Sequence, residues 1–401
     1  MLDLELIKEL SIEADTKIVL LVIDGLGGLP LSDNGNTELE TASTPHMDAL
    51  ASRSLCGMID PISPGITPGS GPAHLSLFGY NPLQFKVGRG ILAALGIGFP
   101  LQESDVAARL NFAKMNQDGL IIDRRAGRLP SQKGIELCQE LDKIELSEVE
   151  VFVRPVKEYR AILVLRGDGL SGELTDSDPQ QINRHPLPVK GQNKKAENTA
   201  ALVNQFIAQA NTILADRKPA NTILCRGFDS FHRFPSMTEV FKLKAACIAN
   251  YPMYRGVARL VGMEVLPTGD SPEEEFQTLK EYFNNYDFFY FHIKKTDSAG
   301  EDGNFNLRVK LLEELDSLIP RILELNPQVI VVTGDHSTPA RLKSHSWHPL
   351  PMLLYSQWCR PDGVKSFSER ECIKGGLGRM STLNLMPLAL ANALRLKKYG
   401  A

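Results

Sequence analysis

Apolar positions in this chain come in unbroken blocks separated by polar, glycine-rich stretches. The block Ile18–Ile23, in KIVLLVIDGLG, leaves no polar face and predicts a strand buried on both sides, as in a parallel sheet. YDFFYFHIKKTDSAGEDG and PQVIVVTGDHSTPA each predict another buried strand that runs into a polar loop, and FKLKAACIA predicts a further strand. Residues 1–16 predict a short amphipathic helix. Further helices are expected in TPHMDALASRS, with Thr44 as N-cap and Pro45 at its first position, in YPMYRGVARLVGM, over 306–325, and after Leu383. The last of these ends in a basic tail whose Lys397 and Lys398 suit the negative end of a helix dipole.

Between Gly88 and Phe228 the texture changes to short alternating runs such as VEVFVRP and YRAILVLRGDGL, with helices around Ser131–Leu141 and Ala196–Ala215 and a long loop over Asp176–Gln192. The whole pattern predicts an α/β protein. A mostly parallel sheet flanked by helices is built from residues 1–87 and 229–401, and a smaller α+β domain, 88–228, is inserted into it.

Composition changes this picture little. The 401 residues are 43% hydrophobic and 23% charged, as in an ordinary globular protein. A formal net charge of −4 gives no reason to expect nucleic acid or an anionic membrane as partner. No charged-then-apolar leader opens the chain, and no apolar run approaches the ~20 residues of a membrane span, so a cytoplasmic location is expected. The six cysteines, at 56, 138, 225, 247, 359 and 372, lack CxxC spacing and are expected to be buried thiols.

The candidate chemistry sits where the apolar blocks end. In open α/β sheets ligands bind outside the carboxyl ends of the strands. Asp24 ends the first block, Asp297 and Glu301 follow the second, Asp335 and His336 end the third, and His345 comes soon after. Taken alone, Asp24-Gly25 is an ordinary turn leaving a strand. Three such ends on one parallel sheet converge on one rim, and oxygen and imidazole donors without thiolate suit Mn²⁺, Mg²⁺ or Zn²⁺.

Ser70 lies where the proline- and glycine-rich DPISPGITPGS meets a helical stretch from Pro72, so it is either a helix N-cap or a nucleophile activated at a helix N-terminus. His74, one turn later on the same face, suits packing or hydrogen bonding better than proton transfer. His46 suits the surface, His292 a satisfied place in the core, and His348 competes with His345 as a ligand. Arg109, Arg124, Arg125, Arg128, Arg154, Arg160, Arg166, Arg184 and Arg226 make the inserted domain a candidate holder of an anionic substrate.

With these residues in place the chain resembles a known family, the archaeal-type cofactor-independent phosphoglycerate mutases of the alkaline phosphatase superfamily. The resemblance rests on VIDGLG at 22–27, DPISPGITPGS with AHLSLFGYNP at 60–82, DRRAGR at 123–128, TDSDP at 175–179, KKTDSAGEDGNF at 294–305, GDHSTP at 334–339 and KGGLGRM at 374–380. It implies that Ser70 becomes phosphorylated and shares one divalent metal with Asp24, Asp335 and His336. The second metal then falls to Asp297, Glu301 and His345, with no requirement for 2,3-bisphosphoglycerate.

The family pattern TDEAGHDG has histidine where this chain has Glu301, which favours Mg²⁺ or Mn²⁺ at the second metal. Gly71-Pro72 also replaces the family's frequent Asp-Thr after the serine. The implied reaction is interconversion of 2- and 3-phosphoglycerate, with Arg124, Arg125, Arg255 and Arg259 as candidate substrate contacts. The rival reading is a metal-dependent phosphomonoesterase or phosphotransferase acting on another small hydroxy acid or amino acid.

Overall fold

Every residue of the three apolar blocks is buried, so both faces of that part of the sheet are covered. The computed structural model describes residues 4–33 and 35–400. In chain order its strands are β1 Ile18–Ile23, β2 Leu55–Asp60, β3 Val106–Met115, β4 Ile121–Asp123, β5 Glu150–Lys157, β6 Arg160–Arg166 and β7 Thr222–Ser230. They continue as β8 Ala245–Ile248, β9 Glu264–Val265, β10 Phe288–Ile293, β11 Val329–Thr333, β12 Leu350–Ser356 and β13 Gly378–Ser381.

The chain forms two compact units, one of Met1–Lys86 with Pro235–Ala401 and one of Val87–Phe234. The first holds an eight-stranded sheet of order β13-β2-β12-β11-β1-β10-β8-β9. β12 alone runs antiparallel to its neighbours, and every other pairing is parallel. In the second unit all pairings are antiparallel. β3 pairs β6 and β7 along its length and β4 at its end, and β5 lies on β6. Ala108, Leu163 and Leu165 face the helices Ser131–Leu141 and Glu197–Leu214, while Ala107, Ile162 and Val164 face Ile91 and Ala94 of the helix Arg89–Gly96. This two-residue alternation buries the sheet on both sides.

Several elements differ from expectation, each for a local reason. The N-terminal helix is Leu4–Leu10, and residues 1–3 of the expected segment lie outside the described residues. In FKLKAACIA only Ala245–Ile248 is strand, because a capping box between Ser236 and Glu239 starts a helix that runs to Phe241 and stops at Lys242, at φ +55°. The helix expected over 306–325 is two, Phe305–Asp316 and Leu318–Glu324, since Pro320 has no N–H to continue the ladder.

Thr44 precedes the helix Pro45–Ala51 without a side-chain capping bond; the Asp316 carboxylate accepts the His46 and Met47 N–H groups at 3.0 and 2.7 Å instead. The last helix, Leu385–Asn392, stops short of the basic tail, so Lys397 and Lys398 do not sit on its dipole. The cysteines are free, and only Cys359 is not buried. Among the described residues no helix is long and apolar enough to cross a membrane.

A buried ion pair holds the loops above the sheet. The Arg308 guanidinium donates to Glu38 Oε1 at 2.7 Å, to the Thr338 carbonyl at 2.8 Å, and to the Gly25 and Leu26 carbonyls at 2.5 and 3.1 Å. Glu38 in turn accepts the Ala340 and Leu29 N–H groups at 2.9 and 3.1 Å. Neither side chain is exposed to solvent. Glu369 extends this clamp, with its carboxylate accepting Gly28 N–H at 2.9 Å and the Thr37 hydroxyl at 2.8 Å. Burial pushes its carboxyl up to about 7.

Two outcomes follow from this clamp. Arg308→Met leaves Glu38 buried and uncompensated, and denaturant titration should show a loss of about 3–5 kcal/mol. Glu369 binds its proton more tightly folded than unfolded, so its contribution is complete below pH 4.5 and is lost as pH rises towards 7. Relative to Glu369→Gln, the unchanged protein should lose about 3 kcal/mol across that window, read as the difference between two stability–pH curves.

Candidate active site

Strand register sets the level of the site before any side chain does. β1 and β10 pair from Ile18 with Phe288 to Ile23 with Ile293, and on its other edge β1 pairs Val22 with Thr333 of β11. Asp24, Lys294 and the Asp335–His336 pair therefore leave three adjacent strands at one height. Asp24 N–H still donates to the Ile293 carbonyl at 3.0 Å, after which Gly25 turns the chain at φ +68°, a conformation that favours glycine.

Ser70 opens the helix Ser70–Leu77, with Gly69 rather than Ser70 as N-cap, which removes the capping alternative for its hydroxyl. Ala73 N–H is already bonded to the Gly69 carbonyl, and Pro72 has none, so the first turn presents its anion-binding donors from Ser70 and Gly71.

His336 Nε2 is the centre of the arrangement. It lies 3.1 Å from Asp335 Oδ2, 3.3 Å from Asp24 Oδ1 and 3.3 Å from Ser70 Oγ. Asp24 Oδ1 and Asp335 Oδ2 are buried and accept no hydrogen bond. The second carboxylate group begins at Asp297, on the helix Lys295–Glu301 that forms where a loop is expected after β10. Asp297 Oδ1 lies 3.7 Å from Nε2 of His345, whose Nδ1–H is held by the Pro68 carbonyl at 3.0 Å. The His345 ring stacks on His336 with centroids 3.5 Å apart.

Among the described residues, two groups gather their ligand atoms within 4.8 Å: Asp24, Asp335 and His336, and Asp297, His336 and His345. Glu301, one turn after Asp297, is exposed and completes neither group. His348 belongs to neither and bonds the Ser346 hydroxyl at 3.0 Å.

Charge is unevenly distributed over these groups. Lys294 Nζ lies 3.1 Å from Asp24 Oδ2 and 2.5 Å from Asp297 Oδ2, with the Tyr251 and Tyr254 rings 5.9 and 5.8 Å away. Burial alone would lower this ammonium, but Asp24 and Asp297 outweigh it and hold it above its ordinary value. Burial would likewise raise Asp24, yet Lys294 and His292 hold it well below, whereas burial and the Asp24 charge push Asp335 well above. Burial keeps His336 and His292 neutral and lowers His74 to about 3. The Tyr254 hydroxyl donates to Asp24 Oδ2, and His74 Nδ1 bonds the Ser70 carbonyl at 2.8 Å. His292 is buried as expected but not satisfied, because neither ring nitrogen has a hydrogen-bond partner.

Orphaned buried carboxylate oxygens beside a neutral imidazole nitrogen fit a divalent cation, and the all-oxygen-and-nitrogen donor set suits Mn²⁺, Mg²⁺ or Zn²⁺.

The arginine candidates are distributed differently. In the second unit Arg124 makes a bidentate pair with buried Asp178 at 2.9 and 2.6 Å, and Arg125 is exposed. In the first unit Arg255 and Arg259 lie on the helix Pro252–Leu260 after β8, and Arg255 Nε donates to the Ala249 carbonyl at 2.7 Å. The sequence reading passes over Lys294, Tyr254 and Arg308. For Lys294 a signal exists, a lysine pair directly after a buried strand; the other two are ordinary helix residues until the fold brings them to the site.

Comparison with known proteins follows the geometry. Residues 51–221 match the family model described as 2,3-bisphosphoglycerate-independent phosphoglycerate mutase. The chain is 48% identical over 400 residues to a probable 2,3-bisphosphoglycerate-independent phosphoglycerate mutase of Thermus thermophilus, covering 98% of each chain. It is 49% identical over 401 residues to one from a Thermotoga species, covering 99% of each. Among solved structures it resembles the PH0037 protein of Pyrococcus horikoshii, with TM-score 0.83, 31% identity and 96% and 99% of the two chains covered. It also resembles the cofactor-independent phosphoglycerate mutase of Thermoplasma acidophilum, with TM-score 0.71, 30% identity and 94% and 100% covered. Close to half identity along nearly the whole of both chains places the protein plainly: it belongs to the 2,3-bisphosphoglycerate-independent phosphoglycerate mutase family.

Proposed function

We propose that this enzyme interconverts 3- and 2-phosphoglycerate through a phosphoserine at Ser70, in a site that holds two divalent metal ions. The observation that carries the reading is the approach of Ser70 Oγ to His336 Nε2 at 3.3 Å, beside two carboxylate oxygens that lack any partner. Packing alone gives no reason to gather a hydroxyl, an imidazole lone pair and two unpaired carboxylates in one buried place. Asp24, Ser70, Asp335 and His336 would hold one ion, and Asp297, Glu301 and His345 the other. When bound, the ions lower the cost of ionising the serine and neutralise phosphate charge.

The chemistry balances without water. Ser70 Oγ attacks phosphorus in line, the bond from phosphorus to O3 breaks, and the released O3 takes up the proton the serine gave. Glycerate stays bound and presents O2, which attacks the phosphoserine. The bond from phosphorus to Oγ breaks, and the serine regains a proton from O2. The first-turn N–H groups of Ser70 and Gly71 would bind a phosphate oxygen, with Pro72 limiting them to two. Arg124, Arg125, Arg255 and Arg259 are the candidates for holding the carboxylate and phosphate of the substrate, as planar guanidinium groups do. Arg124 would do so with its geometry already set by Asp178.

Glu301 is the proposed ligand of the second ion that departs from the family pattern. It lies four residues beyond Asp297 on the same helix, and partial desolvation followed by the Asp297 charge raises its carboxyl although the residue is exposed. Carboxylate in place of imidazole adds negative charge and favours harder cations.

Incubation of the purified protein with 3-phosphoglycerate and Mn²⁺ or Mg²⁺ should yield 2-phosphoglycerate with little free phosphate, and Ser70→Ala should abolish it by about a thousandfold or more. Phosphate as the main product would replace the mutase with a phosphomonoesterase. Glu301→His should raise Zn²⁺ affinity relative to Mg²⁺ and Mn²⁺, read by titration calorimetry with each metal. An unchanged order of preference would remove Glu301 from the ligand set.

A further inference from the structure

Between the two ligand groups stands one hydroxyl to which the chemistry above assigns no task. Thr338 is fully buried, and its Oγ1 donates to Asp297 Oδ1 at 2.8 Å and lies 2.9 Å from His336 Nδ1. A threonine hydroxyl has one proton and two lone pairs. With the proton directed at the carboxylate, the imidazole must be the donor in the second contact, so the ring proton sits on Nδ1. With the ring proton on Nδ1, the Nε2 lone pair faces Asp24, Asp335 and Ser70.

The surrounding backbone holds this threonine from every side. Its N–H donates to the Gly27 carbonyl at 3.1 Å and the Gly25 carbonyl at 3.3 Å, and its own carbonyl accepts from Arg308 at 2.8 Å. A Cβ on Gly25 would meet Thr338 Oγ1 at 2.8 Å, and one on Gly300 would meet the Thr338 carbonyl oxygen at 2.2 Å. Gly25 follows β1 and Gly300 lies on the helix after β10, so two elements remote in sequence both lack a side chain where Thr338 approaches. Packing needs only a side chain of this shape, which valine also has; the two hydrogen bonds need the hydroxyl.

We propose that Thr338 is a positioning residue that couples the two ligand groups: one hydroxyl selects the His336 tautomer that exposes Nε2 and fixes the Asp297 carboxylate. This rests on the reading of His336 and Asp297 as metal ligands, and not on the phosphoryl chemistry. Residues that hydrogen-bond metal ligands typically contribute about tenfold to a hundredfold in metal affinity.

The test uses the full chain with Thr338→Val and Thr338→Ser beside it. In metal-free protein labelled with ¹⁵N-histidine, with His336→Gln to assign the signals, His336 should show the Nδ1–H tautomer. Titration calorimetry with Mn²⁺ should find binding weakened about tenfold or more in Thr338→Val, and within about threefold of the unchanged protein in Thr338→Ser. An Nε2–H tautomer in the unchanged protein, or undiminished Mn²⁺ binding in a folded Thr338→Val, would overturn the proposal. Should the valine variant not fold, the tautomer of the unchanged protein decides. Absence of mutase activity would alter neither readout, so failure of the two readings can be told apart.

Discussion

Two fully buried carboxyl groups, Asp24 and Asp335, each turn an oxygen without a hydrogen-bond partner towards one imidazole nitrogen, Nε2 of His336. Such an arrangement is costly, because buried charge without a partner loses its hydration and receives nothing in return. The Lys294 ammonium opposes it at Asp24 and Asp297, the Tyr254 hydroxyl donates to the other oxygen of Asp24, and Asp335 receives the Gly25 N–H at 3.1 Å on its other oxygen. The opposite shifts of Asp24 and Asp335 express this, as the carboxyl beside the ammonium stays ionised while its neighbour is pushed up by burial and by the first charge. Much of the first unit serves to hold this unfavourable cluster in shape.

The holding is done with backbone and with one ion pair. Three parallel strands in fixed register bring the ligands to one level. Arg308 then gathers the carbonyls of Gly25, Leu26 and Thr338 into one guanidinium, with Glu38 completing its charge and reaching on to Ala340. The carbonyls on either side of the candidate ligand positions are thus oriented by a residue that belongs to neither candidate group. A rigid frame of this kind suits phosphoryl transfer, in which the protein mainly places groups and opposes charge.

Two residues mark where this chain departs from the pattern that the family resemblance rests on. Pro72 preserves the start of the helix, since proline is well tolerated in a first turn, while it leaves one N–H fewer beside Ser70. Glu301 places a carboxylate one helical turn from Asp297, in an exposed position. In both cases the scaffold is retained and the local balance of charge and hydrogen-bond donors is changed.

The fold class and much of the candidate site were legible in the amino-acid order, because a strand buried on both faces must be apolar throughout and three such strands each lead into acidic or imidazole groups, which one ordinary turn would not explain. The blocks ending at Asp24 and Asp335, the Ser70 junction, and the family resemblance all follow from such local patterns. The order alone also misplaced some features: the loop after β10 is a helix, the long helix over 306–325 is broken at Ser317, and the basic tail lies beyond the last helix. Those outcomes depend on capping, on proline and on where neighbouring elements pack. What only the tertiary structure decided is which side chains meet. His336 between two carboxylates, Lys294 across two ligand groups, Tyr254 on Asp24 and Thr338 between His336 and Asp297 join residues far apart in the chain, and strand register and burial, which no local pattern encodes, bring them together.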